Sequence, residues 1–366
     1  MPKEDDMYLI TNRKLTNAKS LKVFGKTPNP KGPNELRLVR VEKSGRGWKV
    51  EPVDDKLSAA AVEKLKTKYS LDIDSKENWY GSLKVACELF EQARTDNKSI
   101  LIFVHGYNND VSDVLKAAYQ IESLYNLIVV PFTWPANGGG AISGTAAYLS
   151  DKADARVSAG ALNRAVGIIQ EMHMMLIRSL QIKHQEAAFK KHPDNPEAAG
   201  SLYATLMERD CSIKINLLCH SMGNYVLKHT LTTSENATSN LVFDNVCLVA
   251  ADTNNDSHNK WVEKIDVRKR VYIVINENDS ALKASRIKPG EEQKARLGHY
   301  LKKLNSSNAT YIDVTDAKNI GSEHTYFKGE SVRKNEKLRS VFSEMFNGNS
   351  IEHMLDYHTD SNTFTL

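Results

Sequence analysis

From Ser99 onward the chain repeats one pattern, a short continuous apolar run followed by a stretch of helical periodicity. The runs are Ile100 to Val104, Leu127 to Phe132, Ile213 to Leu218, Val246 to Ala250, Val271 to Ile275 and Ala309 to Val314. Helical patterning fills 111–125, 152–182 and 222–232 between them. A strand that is apolar on both sides must be covered on both faces. A mostly parallel sheet with helices packed above and below does this. The expected fold class is therefore α/β, doubly wound. Composition agrees: 41% hydrophobic and 26% charged residues can fill a sizeable core and are too apolar for a disordered chain.

The 366 residues are too many for one small module. The expected organisation is an N-terminal extension over 1–98 packing on a main domain over 99–350, followed by a C-terminal tail over 351–366. In the extension, Tyr8-Leu9-Ile10 signals a strand. Val39 and Val41, a Ser44-Gly45-Arg46-Gly47 turn, and Trp48 and Val50 signal a hairpin, with helices over 58–69 and 82–95. Two stretches break the rhythm of the main domain. Asn137 to Gly144 is glycine-rich and reads as a loop. Residues 183–210 are polar and carry Pro193 and Pro196, an insertion that reads either as a lid over a site or as a surface excursion.

Several function classes drop out. The formal charge is only +4 and its lysines and arginines are scattered, so neither a nucleic-acid groove nor a polybasic membrane patch is expected. No apolar run approaches the roughly 18 to 20 residues that span a bilayer. The acidic start, Met1 to Asp6, is unlike a secretory signal, and Cys87, Cys211, Cys219 and Cys247 form no C-x-x-C pair. A cytosolic protein without metal or organic cofactor is expected. Gly138-Gly139-Gly140 lacks dinucleotide-loop spacing, and no Walker-type lysine is present. Asp252-x-Asn254-x-Asp256 half-resembles a calcium loop, but Ser257 stands where that loop needs glycine. Leu162, Val166, Ile169, His173, Leu176 and Leu180, joined by Met172 and Met175, make a helical stripe that suits core or an acyl pocket. Lys328 to Arg339 reads as the wet face of a C-terminal helix.

The chemistry concentrates at Leu217-Leu218-Cys219-His220-Ser221-Met222-Gly223-Asn224. A buried strand runs into a serine with small residues two positions away on either side, and a helix begins at once. This matches the nucleophile elbow, G-x-S-x-G, with Cys219 in place of the first glycine; the motif alone would equally suit a serine that only caps the helix after a buried strand. Upstream, Phe103-Val104-His105-Gly106-Tyr107-Asn108 ends a strand in His-Gly, where this architecture takes its second oxyanion-hole donor. The expected donors are the backbone N–H groups of Tyr107 and Met222, with the His105 side chain propping the loop. Chain order in this fold is serine, acid, histidine. Asp279, directly after the fifth strand, is the expected acid, and Asp252, at the end of the fourth, is its rival. His324, in the loop after the sixth strand, is the expected base, with His299 as the rival.

Together these residues resemble the bacterial esterase/lipase-like alpha/beta hydrolases catalogued as domain of unknown function nine hundred. The resemblance rests on Tyr8 to Lys14 (YLITNRK), Phe103 to Asn108, Phe132-Thr133-Trp134-Pro135 and Cys219 to Asn224. It continues through Ala250-Ala251-Asp252, Asp279-Ser280-Ala281-Leu282 and His324-Thr325-Tyr326-Phe327. It implies a serine hydrolase with Ser221 as nucleophile, Asp279 as acid and His324 as base. The expected substrate is a small-molecule or lipid carboxylic ester. A thioester or amide would suit the same triad, and a non-catalytic binding module is the contrasting class.

Overall fold

The computed structural model describes residues 6–45, 47–136, 144–211, 213–233, 241–287 and 295–366. Its strands are β1 (Asp6–Thr11), β2 (Arg13–Leu15), β3 (Phe24–Pro28), β4 (Arg37–Ser44), β5 (Gly47–Pro52), β6 (Ile100–Val104), β7 (Ile128–Thr133), β8 (Ile215–His220), β9 (Asn245–Val249), β10 (Arg270–Ile275), β11 (Ala309–Asp313), β12 (Asp356–His358) and β13 (Thr363–Thr365). Its helices are α1 (Ala59–Tyr69), α2 (Gly81–Asp96), α3 (Val111–Tyr125), α4 (Gly144–Val157), α5 (Ala159–Lys191), α6 (Pro196–Asp210), α7 (Gly223–Thr233), α8 (Asn259–Val262), α9 (Ser280–Ser285), α10 (Glu330–Lys334) and α11 (Glu336–Phe346).

Eleven strands make one sheet among the described residues, in the order β12-β13-β11-β10-β9-β8-β6-β7-β1-β4-β5. From β13 to β1 every neighbouring pair is parallel, and β12 and the β4–β5 hairpin add antiparallel edges. Each of the six apolar runs is a strand of the parallel part, and β6, β7, β8 and β9 are buried along their whole length. Alternation explains why. Ile100, Ile102 and Val104 pack with Phe90 of α2, Leu162 of α5 and Val226 of α7. Leu101 and Phe103 point the other way, to Val114 of α3 and Phe342 of α11. Each such side chain contributes about 1.5–3 kcal/mol on burial, so this two-faced packing holds the centre of the sheet.

Residues before Ser99 share this sheet. Met7 to Thr11 are buried throughout, and β1 pairs with β7 on one side and β4 on the other. Residues 351–366 contribute β12 and β13, the latter alongside β11. The helix read over 152–182 is two helices. They divide at Ser158, which is fully buried and whose hydroxyl accepts a bond of 3.0 Å from the Asn12 side chain. Beyond it α5 runs on to Lys191, because nothing before Pro193 stops it. The polar stretch 183–210 therefore forms the end of α5 and all of α6. Pro196 opens α6, and the Asn195 side chain caps it by accepting from the Ala198 N–H at 3.0 Å. Ala188 and Ala199 are fully buried in this helical hairpin. The glycine-rich loop read over Asn137 to Gly144 lies outside the described residues except for Gly144, as does Arg46 of the hairpin turn.

Candidate active site

β8 delivers Ser221 in the left-handed region, at φ 53°, a conformation costing a non-glycine residue on the order of 1–3 kcal/mol. Surrounding bonds hold it there. The Ser221 N–H donates to the Val249 carbonyl at 3.1 Å, and its own carbonyl accepts from the Asp252 N–H at 3.1 Å. The buried Asn224 amide donates to the carbonyls of Cys219 (3.0 Å), Ser221 (3.1 Å) and Val249 (3.3 Å), stapling the turn to two strand ends. Gly223 has no room for a side chain, since a Cβ would lie 2.4 Å from the Val104 carbonyl oxygen. Cys219, in the first small position, is fully buried, and burial raises its thiol pKa, which removes it as a rival nucleophile.

The His105–Asn109 loop lies directly over the serine. A Cβ on Gly106 would fall 2.8 Å from the Ser221 Cβ. The Met222 N–H, the first of the following helix turn, makes no hydrogen bond among the described residues. His105 cannot serve as a base. Its Nδ1 donates to the Gly106 carbonyl at 3.0 Å, its Nε2 accepts from the Trp134 N–H at 3.2 Å, and its ring stacks on the Trp134 indole at 5.2 Å. Arg13 braces the same loop from below. It is buried and donates to the carbonyls of Ala136 (2.8 Å) and Asn109 (3.4 Å) and to the Thr133 hydroxyl (3.1 Å).

Burial, reinforced by the Arg13 charge, lowers the His105 pKa to about 3. The unfolded chain would bind that proton near pH 6.5, so this contribution to stability is complete above 6.5 and is lost as the pH falls toward 3. Urea denaturation is expected to show a loss of about 2 kcal/mol from this group by pH 5. His105→Asn should flatten the slope between pH 6.5 and 5; an unchanged slope would contradict a neutral buried His105.

The remaining groups meet at the carboxyl ends of the strands. His324 Nδ1 lies 2.6 Å from Asp279 Oδ2. Asp279 is fully buried, and its other oxygen accepts from the N–H groups of Ala281 (2.9 Å) and Leu282 (3.0 Å) as the cap of α9. A carboxylate can only accept, so Nδ1 donates, and in the neutral imidazole that leaves the lone pair on Nε2. His220 steadies His324, with ring centroids 4.7 Å apart and Nε2 donating to the His324 carbonyl at 3.1 Å. Burial holds His220 neutral, its pKa well below the ordinary histidine value.

The two rivals sit otherwise. His299 ends a short turn of 3-10 helix, and neither of its ring nitrogens has a hydrogen-bond partner among the described residues. Asp252 is buried and already committed, accepting from the Ser285 hydroxyl (2.7 Å), the Tyr148 hydroxyl (2.9 Å) and Arg296 Nε (3.1 Å). Arg296 Nη1 also donates to Asn254 Oδ1 at 2.7 Å, so the residues that half-resembled a calcium loop form an ion-pair network instead.

A cavity of about 770 Å³ brings Ser221, His324, Gly106, Tyr107 and Asp252 to one wall-sharing space. No residue of 183–210 lines it. Ile169, Met172, His173 and Leu176 of the apolar stripe line a different cavity of about 570 Å³, which reaches Ile100 and Ile215 at the opposite ends of β6 and β8. Arg13, Tyr148, Asn224 and Arg296 had not been assigned roles from the sequence. Arg13 and Asn224 fall inside short motifs already singled out, and a polar residue there is the signal that could have marked them.

The family described as alpha/beta hydrolase of unknown function (DUF900) matches residues 85–179 and 196–335. No curated protein and no solved structure matches the chain. Among the described residues no helix is long and apolar enough to cross a membrane.

Proposed function

The chain belongs to this family of alpha/beta hydrolases, and from that premise we propose that it is a serine hydrolase cleaving a carboxylic ester through an acyl-enzyme. The observation that carries the reading is His324, backed by the buried Asp279 at 2.6 Å, sharing one cavity with a serine held in a left-handed elbow. Ser221 attacks the ester carbonyl while His324 Nε2 takes its proton. The carbonyl carbon becomes tetrahedral, and its oxyanion is received by the N–H groups of Met222 and Tyr107. Collapse breaks the bond to the ester oxygen, and the departing alkoxide takes the proton from His324 and leaves as the alcohol. Water then repeats the sequence on the acyl-serine, releasing the acid and restoring the hydroxyl. Asp279 holds the imidazole in the tautomer that each step needs. No step requires a metal or organic cofactor.

The test is a fluorophosphonate, read by intact mass and peptide mapping. One adduct on Ser221, absent in Ser221→Ala, is the expected result. A folded wild-type protein that takes no adduct would remove the nucleophile and the reading with it.

A further inference from the structure

The turn that supplies His324 also carries a lysine into the same cavity. Tyr326 and Phe327 are both fully buried. The Tyr326 hydroxyl accepts from the Ala250 N–H at 3.2 Å and donates to the Val274 carbonyl at 3.1 Å, tying the turn to β9 and β10. The Phe327 carbonyl accepts from the Tyr125 hydroxyl at 2.5 Å, and the Lys328 N–H closes the turn on the Thr325 carbonyl at 3.0 Å. Both sides of the turn are thus pinned, and Lys328 leaves it as part of the cavity wall.

The other charges on that wall are matched. Asp252 has Arg296 at 3.1 Å, and Asp113 has Lys116 at 3.3 Å. Lys328 is half-buried, and no carboxylate lies within ion-pair distance of it among the described residues. Burial lowers its pKa, with Glu323 and Asp113 opposing from farther away. Its charge is felt at His220, whose ring abuts that of His324. A partly desolvated cation without a counter-ion is unfavourable, and an anion arriving with the substrate would relieve it. The same anion would offset the repulsion between Lys328 and the imidazolium that forms during turnover.

We propose that Lys328 selects ester substrates carrying an oxyanion, a carboxylate or a phosphate, on the group that fills the cavity beside His324. Lysine is a compact point charge rather than a planar fork, so either oxyanion satisfies it. This inference rests on the serine-hydrolase reading.

The experiment compares kcat/KM within matched ester pairs for wild type, Lys328→Met, Lys328→Glu and Lys328→Arg. Para-nitrophenyl hemiglutarate against para-nitrophenyl pentanoate places a carboxylate on the acyl side. Butyryl glycerol phosphate against butyryl glycerol places a phosphate on the alcohol side. In at least one pair the anionic-to-neutral ratio should fall about tenfold in Lys328→Met. It should fall further in Lys328→Glu and survive in Lys328→Arg. Ratios that do not move in either pair overturn the inference. Fluorophosphonate labelling gives a second readout that needs no turnover. Glutarate or inorganic phosphate should slow adduct formation in wild type and lose that effect in Lys328→Met, and equal protection in both overturns the inference. A wild type that takes no adduct sinks the hydrolase reading itself; an adduct with unmoved ratios sinks only the role of Lys328.

Discussion

Asp279→Asn is expected to lower kcat about ten-thousand-fold, through the tautomer of His324 rather than through loss of fold. The oxygen that caps α9 must remain an acceptor, because the N–H groups of Ala281 and Leu282 point at it. In the variant the amide oxygen takes that place, so its NH2 faces His324 Nδ1. A donor there forces Nδ1 to accept and moves the ring proton to Nε2, the nitrogen that must be bare to act as base. Asp252→Asn tests the rival. Its two oxygens serve Ser285, Tyr148 and Arg296, so the change leaves the buried Arg296 undercompensated and should cost stability, about 3 kcal/mol. Its effect on kcat should be at least about a hundredfold smaller than that of Asp279→Asn. Steady-state turnover of a chromogenic ester, paired with urea denaturation of both variants, separates the two. A larger turnover loss at Asp252 would transfer the role of acid to it.

The parallel centre of the sheet was legible because a strand buried on both faces leaves one unmistakable mark, an uninterrupted apolar run. All six runs are strands, with ends moved by a residue or two. What escaped depended on partners distant in sequence. Tyr8 to Ile10 read as a short strand, but nothing local says that it lies between β7 and β4 and extends the same sheet. β12 and β13 are three residues each, too short for any periodicity, and β13 exists because β11 offers it an edge. The polar 183–191 segment stays helical because α6 folds back over α5, and small residues such as Ala188 and Ala199 let the two approach.

The candidate site divides in the same way. The elbow at Ser221 has a local signature, whereas strand-end position and chain order leave Asp279 beside Asp252, and His324 beside His299, as candidates; the structure sets His324 Nδ1 2.6 Å from Asp279 Oδ2. Side chains that act through buried polar contacts have none. Arg13 lies more than ninety residues before the loop carbonyl that it braces, and only the fold brings them together. Lys328 shows the converse failure. Its neighbours in sequence suggested a solvated helix face, yet α10 begins at Glu330, after Gly329. The lysine belongs to the turn before the helix, where Tyr326 and Phe327 drive it toward the cavity.

Gly223→Ala should be strongly disruptive at the site, and a second glycine shows why the expectation is specific. At Gly223 the added carbon would meet the carbonyl oxygens of Val104 at 2.4 Å and His105 at 2.9 Å. These are backbone atoms that cannot swing aside. Val104 is paired with Cys219 of β8 and Phe132 of β7, and His105 is fixed by Trp134 on both ring nitrogen and carbonyl. Relief therefore requires the elbow and the His105–Asn109 loop to part, at a cost of about 3 kcal/mol. On the proposed mechanism, parting them would also withdraw an oxyanion donor, which should lower kcat about a hundredfold or more. Gly167, inside α5, has nothing within 4 Å of its Cβ position. Alanine there should stabilise the protein by about 0.5–1 kcal/mol, because it restricts the unfolded chain and favours the helix. Thermal and urea denaturation of the two variants should therefore move in opposite directions. If Gly223→Ala proves as harmless as Gly167→Ala, the close approach of elbow to loop does not exist, and the N–H groups of Met222 and Tyr107 are not set to receive an oxyanion.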